Sequence, residues 1–178
     1  MANTTFSGPV RSENGFQDIT TNTTTGVITT NVKLSTSGVV VAPDSLADAN
    51  VSITAADNAG RITIVPDGGQ DNTYTLPTPA EAGESYRFIY GGAAADATNV
   101  AIAGPEVDNS VFYVGGVTFA NTANELSTVY SNGSSDSLMT LITPAAFDVT
   151  FVAVNTSAYA ISGTVTSNTA PTIAEQSA

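Results

Sequence analysis

From Val27 to Thr166 the chain is a succession of short runs in which apolar and polar residues alternate, broken by Gly, Pro, Asn and Asp. A period of two sends successive side chains to opposite faces of an extended strand, so a chain built of such runs is committed to β-structure. "VITTNVKL" (27–34), "GVVVA" (38–42), "VSIT" (51–54), "RITIV" (61–65) and "TYTL" (73–76) open the series. "ESYRFIY" (84–90) is the clearest member, with Tyr86, Phe88 and Tyr90 on one face and Arg87 and Ile89 on the other. After it come "NVAIA" (99–103), "SVFYV" (110–114), "VTFA" (117–120), "LSTVYS" (126–131), "LMTLIT" (138–143), "FDVTFVAV" (147–154) and "AYAISGTVT" (158–166). In the run at 147–154, Phe147, Val149 and Phe151 oppose Asp148 and Thr150.

The breaks carry information too. "PDGGQDN" (66–72) holds an Asp-Gly step, a strong hairpin signal, and "AADNAG" (55–60) suits a turn or one helical turn. Helical periodicity is nowhere sustained; "PDSLADAN" (43–50) and "NTANELST" (121–128) are the best helical candidates and are short. No internal repeat of fixed period is visible, which argues against a solenoid or propeller. The expected fold is all-β: an antiparallel β-sandwich or jelly-roll-like barrel with an extended N-terminal arm and a C-terminal tail. The expected limits are 1–26 for the arm, 27–166 for a single β domain and 167–178 for the tail.

Charged residues make up 11% of the 178-residue chain, well under the roughly 25% of ordinary soluble domains, so Thr, Ser and Asn must cover much of the surface. Four bases (Arg11, Lys33, Arg61, Arg87) face sixteen acids, for a formal charge of −12. Phosphate neutralisation needs clustered Lys and Arg, so nucleic acid is not an expected partner. No run reaches the ~18–20 apolar residues of a membrane span, and no basic segment leads into an apolar one at the start. No membrane association is expected, and synthesis in a cytoplasm is.

The chain has neither His nor Cys, which removes imidazole and thiolate chemistry and most nucleophile–base pairs. A Ser-Lys dyad would have to use Lys33, whose setting "NVKLSTS" reads as the exposed face of a strand. Paired carboxylates remain: Glu81 and Glu84 in "PAEAGE", with Asp67 and Asp71 in the preceding hairpin. Glycosidases set such a pair in an aromatic-lined cleft, and this chain has no Trp. "DGGQDN" has oxygen ligands a calcium ion could use but not the spacing of an EF-hand, and reads first as a turn. No catalytic residue, metal or cofactor is expected.

The first residues are too polar for a core, yet Phe6, Pro9, Val10, Phe16 and Ile19 recur among small polar neighbours. Such a segment can lie extended on a neighbouring molecule, giving its apolar side chains to pockets and its backbone to a strand edge. Its partner-contact candidates are Phe6, Pro9, Val10, Arg11, Phe16 and Ile19.

"TTFSGPVRSENGF" (4–16) resembles the start of virion structural proteins of tailed phages, particularly marine ones. "ADNAGRITIVPDGGQDNTYTLPTPAEAGESYRFIYGG" (56–92) resembles phage head decoration, or cement, proteins, and "AYAISGTVTSNTAPTI" (158–173) is similar to their final strand and tail. A tryptophan expected near Tyr159 is missing. The resemblance implies a small β protein, commonly a homotrimer, on the outer surface of a capsid. There it would bind the major capsid protein and staple neighbouring subunits after the head expands. The alternative expectation is a fibre, knob or adhesin-type virion protein that binds a host receptor, with Tyr86, Tyr90, Tyr113 and Tyr130 as candidate contacts. A carboxylate depolymerase built on Glu81 and Glu84 is the enzymatic alternative.

Overall fold

The computed structural model describes residues 16–35, 38–93, 95–105, 110–121, 123 and 125–176. It is all-β, and it divides into two compact units, Met1–Ala42 and Pro43–Ala178. The division falls later than the expected boundary at residue 26. Strand β1 (Phe16–Thr21) pairs antiparallel with β2 (Ile28–Ser35), and β2 with β3 (Gly38–Val41). The β1–β2 turn is closed by Asn22, whose side chain accepts from the N–H groups of Thr24 and Thr25. Gly26 supplies the left-handed residue that ends it, at φ +73°. Ladder and turn thus tie the end of the expected arm to the start of the expected body.

The second unit holds a seven-stranded sheet and a five-stranded sheet. The chain enters by passing back and forth between them. β4 (Asp44–Ser45), β6 (Ile62–Val65) and β8 (Ser85–Tyr90) lie parallel in the larger sheet. β5 (Val51–Ser52), β7 (Asn72–Thr75) and β9 (Val100–Ala103) lie parallel in the smaller one. Each return passes a loop, the first holding the single helical turn α1 (Ala55–Asn58) expected in "AADNAG". Residues 44–103 are therefore three stacked coils. Asp44, Thr63 and Phe88 share one row and Val51, Tyr74 and Ile102 another. The steps along each row are unequal, which is why no fixed period shows in the sequence.

The second part is built of longer strands. β10 (Phe112–Asn121) turns into β11 (Leu126–Tyr130), and β13 (Pro144–Asn155) into β14 (Ala158–Ser167), all in the larger sheet. β12 (Leu138–Leu141) and β15 (Thr172–Ala174) complete the smaller sheet. The larger sheet runs β11-β10-β14-β13-β8-β6-β4 and the smaller β15-β12-β9-β7-β5.

Several expectations change. The sheets are mixed rather than antiparallel throughout, with β10 and β14 also parallel. "PDGGQDN" is no hairpin, because β6 and β7 belong to different sheets. Neither helical candidate is a helix: 43–50 contains β4, and 121–128 runs from the end of β10 into β11. The expected tail contributes β15, which pairs with β12. No helix among the described residues is long and apolar enough to cross a membrane.

The two sheets wall one core. Val65, Tyr86, Phe88, Tyr113, Val149, Phe151 and Tyr159 enter it from the larger sheet, and Tyr74, Ile102, Met139 and Leu141 from the smaller. Phe151 is its hub, with ring centroids 5.2 Å from Tyr113, 6.0 Å from Phe88 and 6.5 Å from Tyr159. Fully burying one aromatic side chain removes enough apolar surface to stabilise by about 2–3 kcal/mol, so this cluster dominates the stability of the unit. Tyr113 and Tyr159 bury their hydroxyls by donating to the carbonyls of Ile102 (3.2 Å) and Pro77 (2.7 Å).

Candidate functional site

Three places among the described residues outside the core bear on function. The first is the turn where each coil crosses from the larger to the smaller sheet. Asp48 accepts from the Gly69 N–H (2.9 Å) and from Asn72 Nδ2 (2.6 Å). Asp71 accepts from the N–H and Nδ2 of Asn99 (2.8 and 3.1 Å). Asp96, almost fully buried, accepts from the N–H groups of Gly68 and Thr98 and from the Thr98 hydroxyl. Each carboxylate thus binds a neighbouring turn or its own, so the side chains staple one coil to the next. The Gly69 N–H and the Asn72 amide hold the Asp48 carboxyl below the usual carboxylate range. Tyr74 lies near by, its hydroxyl buried with no hydrogen-bond partner among the described residues. Burial, and after it the charges of Asp48 and Asp96, push that hydroxyl up to about 12.

This is the "DGGQDN" loop in which calcium ligands were conceivable. Within it the Asp71 carboxylate is occupied by the N–H and Nδ2 of Asn99, and Asn72 Oδ1 by Gln70 Nε2. Among the described residues no group of three or more acidic, His or Cys side chains is arranged to hold a metal ion.

The second place is the outer face of the larger sheet. Arg87 on β8 makes a two-pronged ion pair with Asp148 on β13, at 2.9 and 2.6 Å, in an open polar depression lined also by Thr150, Ser162 and Thr164. The guanidinium holds the Asp148 carboxyl low, and the carboxylate raises the arginine. Both side chains are nearly half exposed, so the pair carries little energy. One of the four bases is thereby neutralised.

The third place is the free edge of the larger sheet. Leu126 and Tyr130 on β11 are each 74% exposed, far more than the other large apolar side chains described in this unit.

The remaining sequence candidates separate. Phe16 and Ile19 lie on β1, their backbones aligned with Leu34 and Thr30 of β2, so that stretch of the arm already has a strand partner inside its own unit. Phe6, Pro9, Val10 and Arg11 lie outside the described residues. Lys33 is on β2 opposite Gln17. Glu84 closes its own loop, accepting from the Ala80 N–H and the Tyr86 hydroxyl, while Glu81 is exposed. Of the four tyrosines considered as receptor contacts, Tyr86 and Tyr113 are core residues, Tyr90 packs against the core, and Tyr130 alone stands out from the surface. Sequence reasoning found β11 as a strand but missed it as an exposed edge; alternation reports two faces and says nothing of which strand ends a sheet.

Neither a scan against models of known protein families nor a search of curated proteins finds a match for this chain.

Proposed function

We propose that this chain is a structural virion protein that binds the outer surface of a tailed-phage capsid as a homotrimer and bridges neighbouring major capsid subunits. The observation that carries the reading is the division of the chain at Ala42. Phe16 and Ile19 lie on β1 of the first unit and Phe6, Pro9, Val10 and Arg11 precede them in the sequence, while the acids and tyrosines of the second unit mostly serve its own turns and core. A module for attachment and a block for rigidity are what a cement protein requires. The resemblance of 4–16, 56–92 and 158–173 to virion and decoration proteins gives the capsid as the partner.

Binding only the expanded lattice would stabilise that lattice by mass action, and several weak contacts per assembly would combine through avidity. The test is reconstitution on expanded capsids that lack the protein. Full-length chain should decorate them in a regular array, whereas a chain lacking residues 2–20 should keep the second unit folded and lose most of its occupancy. Full occupancy by the truncated chain would overturn the proposal. Binding to host cells with none to capsids would favour the receptor-binding alternative.

A further inference from the structure

Edge strands present unpaired N–H and C=O groups, and proteins guard them by keeping them short or by adding charge or proline. Three of the four edges in the second unit are guarded. β4 and β5 are two residues long and β15 is three, with Pro43 directly before β4 and Pro171 directly before β15. β11 is the exception. It has five residues, "LSTVY", with no proline, and although Glu125 directly precedes it, no charged residue occurs from Leu126 to Ser135.

The pairing with β10 shows which groups the edge offers. Asn121 N–H donates to the Glu125 carbonyl and Ser131 N–H to the Gly115 carbonyl, so the odd-numbered residues of β11 face β10. In an antiparallel ladder the alternate residues then turn their N–H and C=O outward. These are Leu126, Thr128 and Tyr130, all exposed. A second β11 laid antiparallel about a two-fold axis at Thr128 sets Leu126 opposite the partner copy's Tyr130, Thr128 opposite Thr128, and Tyr130 opposite Leu126. About six backbone hydrogen bonds result, with an apolar cross-strand pair at each end of a threonine pair.

The charge pattern at the edge permits a second copy. A −12 chain repels its own copies, and the joint must therefore avoid acids. Here Glu125 falls opposite the other copy's Ser131, which keeps the two Glu125 carboxylates on the order of 20 Å apart, beyond the ~8–10 Å screening length. We propose that β11 is a self-association edge, at which two copies of this chain pair antiparallel about Thr128 and join their larger sheets into one. The inference does not rest on the capsid reading. A two-fold joint of this kind can link two single copies or two trimers.

Having no cysteine of its own, the chain is suited to a direct test by cross-linking. Directly opposed residues in this register have Cα atoms ~5.5 Å apart, inside the disulfide range. Thr128→Cys should therefore give disulfide-linked dimers under mild oxidation at least about tenfold faster than Ala82→Cys in an exposed loop. Thr128→Pro removes only an outward N–H, so its circular dichroism should match wild type while its self-association in sedimentation velocity weakens about tenfold or more. Should that variant unfold, Leu126→Lys with Tyr130→Lys serves in its place. Cross-linking of Thr128→Cys no faster than the control overturns the proposal, as does association unchanged in the proline or lysine variants. Dependence on residues 2–15 without a 128–128 cross-link overturns it too, and assigns the edge to a neighbour's N-terminal segment.

Discussion

The coils of residues 44–103 and the hairpins of residues 112–167 line one core but are held in different ways. Coil strands are two to six residues long and meet in parallel, so their ladders are brief. Their cohesion is completed at the turns, where Asp48, Asp71 and Asp96 reach neighbouring backbone and amide groups. The hairpin strands β13 and β14 are twelve and ten residues long and hold one another through an extended antiparallel ladder. Short parallel strands need side-chain bonds where long antiparallel ones have backbone bonds in number.

The largest loss should follow from removing what both halves share. Phe151→Ala takes away the ring that touches Phe88 of the coils and Tyr113 and Tyr159 of the hairpins. It should cost about 3–5 kcal/mol in urea unfolding, with a single transition. A loss below about 1 kcal/mol would mean that the halves do not share a core. A smaller effect should be confined to the coils. Asp96→Ala leaves the Gly68 and Thr98 N–H groups without their acceptor and should cost about 1–3 kcal/mol. Amide exchange should quicken at residues 68–72 and 96–99 while the β13–β14 ladder stays protected; equal loss of protection in both would refute separate modes of cohesion.

The smallest effect belongs to the ion pair that joins β8 of the coils to β13 of the hairpins. Arg87→Ala should cost about 0.2–1 kcal/mol, and less as salt is added. The same pair gives an acid signature. Folding lowers the Asp148 carboxyl below the ordinary aspartate value of about 4, so its contribution is complete above that pH and disappears as pH falls through the folded value. Asp48 has the same sign through its Gly69 and Asn72 bonds. Asp148→Asn should therefore flatten part of the fall in stability below about pH 4, and an unchanged acid limb would sink this assignment.

Alternation made the strands legible because it is local. Phe147, Val149 and Phe151 do point inward and Asp148 and Thr150 outward, as period two requires. Turn residues misled where glycine and aspartate served a different end. Gly115 and Gly116 suggested a break between "SVFYV" and "VTFA", yet β10 runs through both. A Cβ at Gly115 would lie 2.7 Å from the Ile161 carbonyl, and one at Gly116 2.4 Å from the Val129 carbonyl, so these glycines let neighbouring strands approach. Similarly, Asp67-Gly68 turns the chain toward the other sheet, because Asp48, Asp96 and Thr98 from adjacent coils hold that loop.

Of the candidate surfaces, the N-terminal residues were visible as apolar side chains in a polar segment, whereas the β11 edge was not. Nothing in "LSTVYS" differs in kind from the other strands; its exposure arises because β10 has β14 on one side and β11 ends the order on the other.

The all-β class, the residues of each strand that face the core, and the lack of imidazole and thiol chemistry were legible in the sequence. These follow from residue type and from a spacing of two along one strand. That successive strands alternate between two sheets, that acids at the coil turns act as staples, and that β11 ends the larger sheet with β10 as its one ladder partner among the described residues came only with the packed fold. Such features depend on which strands lie side by side, and that is fixed by the packing of distant residues around one core.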